Sequence, residues 1–134
     1  MRPAEIALSI ETLYRARQPA FVQGSPGIGK NDTFHQVAAK LGIELLDLRL
    51  AQYDRLDLTG VPYVVDGRTR WALPDFWPTS GAGLLLLDEF NAAPREMQPP
   101  IYQLLRDFCL GDYKLPDGWC PFAAGNLVVR AYAM

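Results

Sequence analysis

Apolar positions along this chain come in short runs broken by Gly, Pro and small polar residues, and the spacing within each run predicts an element. Behind Pro3, which suits a first helical turn, Ile6, Ile10, Leu13 and Tyr14 recur at helical spacing. They predict a helix to about Arg17, stopped by Pro19. Residues 20–23, Ala-Phe-Val-Gln, read as a short strand, and residues 24–29 as a loop. After Lys30, the positions Phe34, Val37, Ala38 and Leu41 form one apolar face, with Gly42 where a helix terminator belongs. The order is strand, glycine loop, helix.

Residues 43–50 read as a second strand, apolar on both faces, which suits a sheet covered on both sides. Residues 61–65 and 68–72 flank Asp66-Gly67 and predict a hairpin, because Asp-Gly supplies the positive-φ positions of its tight turn. The run Leu84-Leu85-Leu86-Leu87 follows Ser80-Gly81-Ala82-Gly83 and ends in two acids. A run of that length favours a buried strand over a helix. Pro94 opens a helix carrying Met97, Ile101, Leu104, Leu105 and Phe108, with a break or first turn expected at Pro99 and Pro100. Residues 110–119 read as a turn-rich hairpin, residues 121–126 as a short strand with a polar tip, and residues 127–132 as a further strand.

Composition narrows the class. With 134 residues, no internal repeat and no Pro/Gly-rich linker, residues 1–134 read as a single domain. Hydrophobic residues at 49% and charged residues at 21% exclude wholesale disorder. Thirteen Lys and Arg against fifteen Asp and Glu leave a net charge of −2, which gives no evidence of nucleic-acid binding. Cys109 and Cys120 are too few for a disulfide framework and too far apart in sequence for a zinc pair, so both are read as reduced. No apolar run reaches the roughly 18 residues of a membrane span. The start, Met1-Arg2-Pro3-Ala4-Glu5, has an acid where a signal peptide would turn apolar. The expectation is a soluble, cytoplasmic protein.

The chemistry begins at Gly24-Ser25-Pro26-Gly27-Ile28-Gly29-Lys30. This is G-x-x-x-x-G-K between a strand and a helix, the spacing of a phosphate loop. Glycines let the backbone curl so that successive N–H groups, including those of Ser25 and Ile28, point into one concavity. The positive end of the next helix adds to that field, and Lys30 reaches the β- and γ-phosphates as a mobile cation. A second element is the apolar strand ending in Asp88-Glu89. A buried strand delivers its last side chains to the carboxyl edge of the sheet, where α/β sheets bind ligands. Asp88 there can hold Mg²⁺ and Glu89 can polarise an attacking water. A third is Asn126, after Ala123-Ala124-Gly125, an amide able to orient a water or meet the γ-phosphate.

Together these stretches resemble the Walker A, Walker B and sensor 1 elements of AAA+ ATPases. The phrases Gly24 to Lys30 and Leu87-Asp88-Glu89-Phe90-Asn91, with Asp57-Leu58, Gly60 and Pro62, are similar to the MoxR and dynein-related branch. The resemblance implies an α/β, three-layer P-loop NTPase core with a mainly parallel sheet in the order 5-1-4-3-2. It implies ATP and Mg²⁺ as cofactors, homo-oligomeric or partner AAA+ rings, remodelling driven by hydrolysis, and a von Willebrand A-domain partner. Gly24, Ser25, Pro26, Gly27, Ile28, Gly29, Lys30, Asn31 and Asp88 would bind the nucleotide. Asp88 and Asn31 would hold the metal, and Glu89, Asn126 and Lys30 would be catalytic.

Two departures qualify this. Asn31 stands where the family has Ser or Thr as a Mg²⁺ ligand, which predicts weakened metal placement, and Thr33 is out of register to substitute. Met134 comes eight residues after Asn126, so no counterpart of the helical lid, sensor 2 or arginine finger is expected among residues 1–134. Arg130 is not assigned the finger role. The fifth strand would be missing or replaced by residues 127–132 folding over the first strand. Hydrolysis by this chain alone is therefore expected to be weak. Two other readings are a lidless interaction module that binds a full-length AAA+ partner without hydrolysing ATP, and an incomplete product of a longer gene. His35, the aromatics Trp71, Phe76 and Trp77, and the hairpin residues Arg68 and Arg70 are read as structural or solvated.

Overall fold

The computed structural model describes residues 3–24 and 30–126. The elements run α1 Pro3–Arg15, β1 Ala20–Gly24, α2 Lys30–Leu41, β2 Glu44–Arg49, α3 Arg55–Thr59, β3 Val61–Val65, β4 Arg68–Ala72 and β5 Ala82–Asp88. They continue with α4 Gln98–Asp107, β6 Cys109–Leu110, β7 Tyr113–Lys114 and β8 Gly118–Asn126.

Four strands form a parallel sheet in the order β1-β8-β5-β2. In order of appearance these are strands 1-4-3-2, which agrees with the expected order apart from the fifth strand. The tail assigned to that strand lies outside the described residues, at 127–134.

The period-2 alternation of β5 builds the core on both sides of the sheet. Leu84 and Leu86 pack with Ile6 and Ile10 of α1 and Phe34 and Val37 of α2. Leu85 and Leu87 point the other way, toward Leu58, Met97, Ile101 and Leu104. Four leucines in a row are thus divided equally between two layers of helices, which makes the domain a three-layer α/β/α sandwich. Tyr14 closes one side by donating its hydroxyl to the Gly118 carbonyl at 2.7 Å.

The chain departs from the sequence reading in four places. The hairpin expected at residues 110–119 is smaller, residues 109–114, and Gly118 and Trp119 already belong to β8. That strand spans Gly118–Asn126 rather than starting at Pro121. A proline is tolerated there because pairing with β1 begins only at Phe122, opposite Ala20; Pro121 sits opposite Leu85 of β5. The helix expected from Pro94 starts as a separate 3₁₀ turn, Arg95–Met97, and α4 proper begins at Gln98. Pro99 and Pro100 then occupy its first turn, where their missing N–H groups have no helical partner to lose. Finally β2, expected to be covered on both faces, ends the sheet among the described residues, and most of its side chains are half-buried or exposed.

The hairpin β3–β4 turns at Asp66 and Gly67, both at positive φ (52° and 74°), as the Asp-Gly pair requires. It stands apart from the main sheet as its own two-stranded ladder. Its base is fixed by Gly60, at φ 84°, where a Cβ would run into the Ala72 carbonyl. Both cysteines are free thiols, and burial pushes that of Cys120 up to about 11. Among the described residues no helix is long and apolar enough to cross a membrane.

Candidate functional site

The carboxyl ends of three adjacent strands bring the sequence motifs together. Gly24, last residue of β1, is in register with Asn126, last residue of β8. On the other side of β8, strand β5 ends at Asp88, itself in register with Arg49 of β2. Ser25, Pro26, Gly27, Ile28 and Gly29 lie outside the described residues, and Lys30 is the first residue of α2. The motif is therefore bounded by the tip of β1 and by α2, whose second residue is Asn31.

Asn31 is tied to the strand tips directly. Its amide nitrogen Nδ2 donates to Asp88 Oδ2 at 2.8 Å and to Asp47 Oδ2 at 3.3 Å. Asp88 is only 7% exposed, and its other oxygen, Oδ1, accepts the Glu89 backbone N–H at 2.8 Å. Glu89 takes a left-handed backbone conformation, φ 58°. For a non-glycine residue this is uncommon, and it ends the strand abruptly just where the sheet's edge begins. The half-buried side chain of Glu89 thus leaves the sheet at its carboxyl edge.

Two residues at this edge were assigned no part in the site by the sequence reading. Asp47 interrupts the apolar run of β2, and that interruption was the available signal. Burial first, and the neighbouring Asp88 second, push its carboxyl up from the ordinary aspartate value; Arg49, His35 and the Asn31 hydrogen bond pull the other way. Its Oδ1 is buried and has no hydrogen-bond partner among the described residues. Asn91, in the 3₁₀ turn Phe90–Ala92 after Glu89, lays its side chain against Gly125, where a Cβ would collide with Asn91 Oδ1. The glycine before Asn126 is thus required by close packing of the acidic turn on β8. Edge-to-face contacts of Phe90 with Phe21 (5.5 Å) and Tyr102 (5.7 Å) hold the same turn.

These residues do not fit a Mg²⁺ ion as they stand. Mg²⁺ wants oxygen ligands at about 2.0–2.1 Å in octahedral array. Asn31, expected as a ligand, turns its nitrogen rather than its oxygen toward Asp88, and the second Asp88 oxygen is held by a backbone N–H. Among the described residues, no group of three or more His, Cys, Asp or Glu is placed to hold a metal.

No protein-family model matches the sequence, and no curated protein does. Solved structures do match. A structure from Cytophaga hutchinsonii named "putative ATPase" superposes with a TM-score of 0.64 at 17% identity, covering 90% of this chain and 37% of that one. NtrX from Brucella abortus in complex with ADP gives a TM-score of 0.61 at 15% identity, and its complex with ATP gives 0.59 at 16%. Each covers 97% of this chain and 30% of the NtrX chain. The chain thus spans about a third of the length of the structures it matches. At these identities the likeness speaks for the fold alone: a mixed α/β domain on a parallel four-stranded sheet.

Proposed function

We propose that this chain is a nucleotide-binding AAA+-type core whose ligand is ATP, held by residues 24–30 at the carboxyl edge of the sheet. One observation carries the reading. Gly24, which opens the G-x-x-x-x-G-K motif, and Asn31, which follows it, meet the tips of β8 and β5 through the Gly24–Asn126 register and the 2.8 Å contact with Asp88. A polyanion seated at the start of α2 would face the helix's positive end, with Lys30 supplying the cation. The ADP and ATP complexes of NtrX, a protein of matching fold, are consistent with it.

In this reading Glu89 is the base that polarises a water, and Asn126 orients that water toward the γ-phosphate. Hydrolysis is slow in the isolated chain. Arginines supplied in trans are worth about 10³–10⁵ in rate in this chemistry, and no residue of this chain is assigned that part. Assembly into a ring with copies of itself or with an AAA+ partner, in the manner of the MoxR branch, would supply them. Remodelling of a client, with a von Willebrand A-domain protein as partner, belongs to the same reading, as does a cytoplasmic setting.

Titration of a fluorescent ATP analogue tests the proposal. Saturable binding that is lost in Lys30→Ala is expected; equal weak binding in parent and variant would contradict it. Phosphate release should fall further in Glu89→Gln while analogue binding persists.

A second reading is favoured by the hairpin. Every residue of β3 and β4 is exposed, Val61, Tyr63, Val64 and Trp71 among them. A groove of about 700 Å³ lies beside it, lined by Arg55, Tyr63, Arg70, Trp71, Gln103 and Lys114. An apolar and basic surface of this kind suits a module that docks on a full-length AAA+ protein without turning over ATP. Light scattering of the chain alone and with such a protein separates the two readings.

A further inference from the structure

We propose that the Asn31 amide takes the place of a divalent cation against Asp47 and Asp88, so that this chain's nucleotide site works without metal. The geometry is specific. A carboxamide NH₂ has two N–H donors, and Asn31 has one carboxylate for each: Asp88 Oδ2 at 2.8 Å and Asp47 Oδ2 at 3.3 Å. The two acids belong to neighbouring strands, β5 and β2, and the amide comes from the first turn of α2. One neutral group therefore draws together three elements at the carboxyl edge of the sheet.

Two further observations support the substitution. Asp88 Oδ1 is engaged by the Glu89 N–H at 2.8 Å, so both oxygens of this carboxylate already accept a hydrogen bond. On Asp47, Oδ1 remains buried without a partner among the described residues. Two carboxylates at one half-buried spot repel each other and need a positive or donating group between them. A Ser or Thr hydroxyl at position 31 is too short to span both, and it offers an oxygen through which a cation can complete the bridge. The longer Asn side chain spans both and presents nitrogen, which has no lone pair to give a hard cation.

The inference rests on the proposed nucleotide reading for its ligand, but its first test needs no nucleotide. Mn²⁺ alone is titrated into the full chain and followed by the paramagnetic resonance of the free ion. The parent, Asn31→Asp and Asn31→Ser are compared, with thermal melting in EDTA and in Mg²⁺ alongside. Asn31→Asp keeps the shape, removes the NH₂ and places a third carboxylate beside the other two. It is expected to bind Mn²⁺ at least about tenfold more tightly than the parent, because affinity at such sites follows ligand charge. Its melting temperature should rise with Mg²⁺ while the parent's stays unchanged. Asn31→Ser should shift the same way by less, and it keeps the test decisive if Asn31→Asp does not fold. Equal Mn²⁺ affinity in parent and variants would overturn the amide bridge.

The second arm titrates the fluorescent ATP analogue into the parent in EDTA and in Mg²⁺. Affinities within about twofold are expected, since phosphate-loop amides and Lys30 make the contacts. Binding abolished by EDTA overturns metal independence. Absence of binding in both conditions sinks the nucleotide reading instead, and the Mn²⁺ comparison still decides whether the amide stands in for a cation.

Discussion

Two apolar stretches of this chain, β5 (Ala82–Asp88) and the hairpin strand β3 (Val61–Val65), look alike in composition and have opposite fates. In β5 every leucine is fully buried, and the strand's only carboxylate is delivered, almost wholly buried, to the sheet's edge. In β3 every residue is exposed, with Val64 73% accessible. The difference is one of neighbours. Strand β5 lies inside a parallel sheet with a helical layer on each face, so both of its side-chain rows are covered. Among the described residues the hairpin strands pair only with each other, and none of their side chains is buried. Apolar character thus reports stability in the first stretch and is left available for contact in the second.

The contrast is broken most severely by cutting into the buried strand. Leu86→Ala should cost about 2–5 kcal/mol in urea unfolding, through lost transfer energy and a cavity between α1, α2 and the sheet. A cost below about 1 kcal/mol would mean that the layer over β5 is loose. Next comes the joint between the two regions. Gly60→Ala, at φ 84° and against the Ala72 carbonyl, should cost about 1–3 kcal/mol and lower the melting temperature.

A smaller effect tests the charged end of the sheet. The folded-state pKa of Asp47 is raised, so the folded state holds its proton more tightly than the unfolded chain does. Stability tied to that proton is fully present below the ordinary value of 3.8 and is lost as pH rises through the raised folded value. Asp47→Asn, which keeps an acceptor for Asn31, should melt higher than the parent at neutral pH, and the gap should close on acidification. A gap that widens toward low pH would show the sign to be wrong. The smallest effect belongs to the hairpin: Val64→Ser should change stability by no more than about 0.5 kcal/mol, because nothing is uncovered.

Much of this was legible in the residues. The helical spacing of Ile6 to Tyr14, the Asp66-Gly67 turn and the leucine run all became the elements they predicted, because each obeys a local rule. Pro121 misled, since its penalty depends on when the neighbouring strand begins to pair, a matter of tertiary register. The exposure of β3 was equally invisible, because alternation and β-propensity do not say what lies across from a strand. At the site, Asp88 and Glu89 were legible as acids ending an apolar run. Asp47 was not, because its importance comes from β2 pairing with β5 and from Asn31 reaching across. Asn91 was in plain view, yet only its packing on Gly125 gives it meaning.

The central claim is that a polyphosphate sits where β1 turns into α2. Amide hydrogen exchange of the full chain with and without saturating ATP tests it most directly. The account predicts slowed exchange concentrated in peptides covering residues 24–31, with the hairpin β3–β4 unchanged; protection confined to other regions, or none at all, would contradict it.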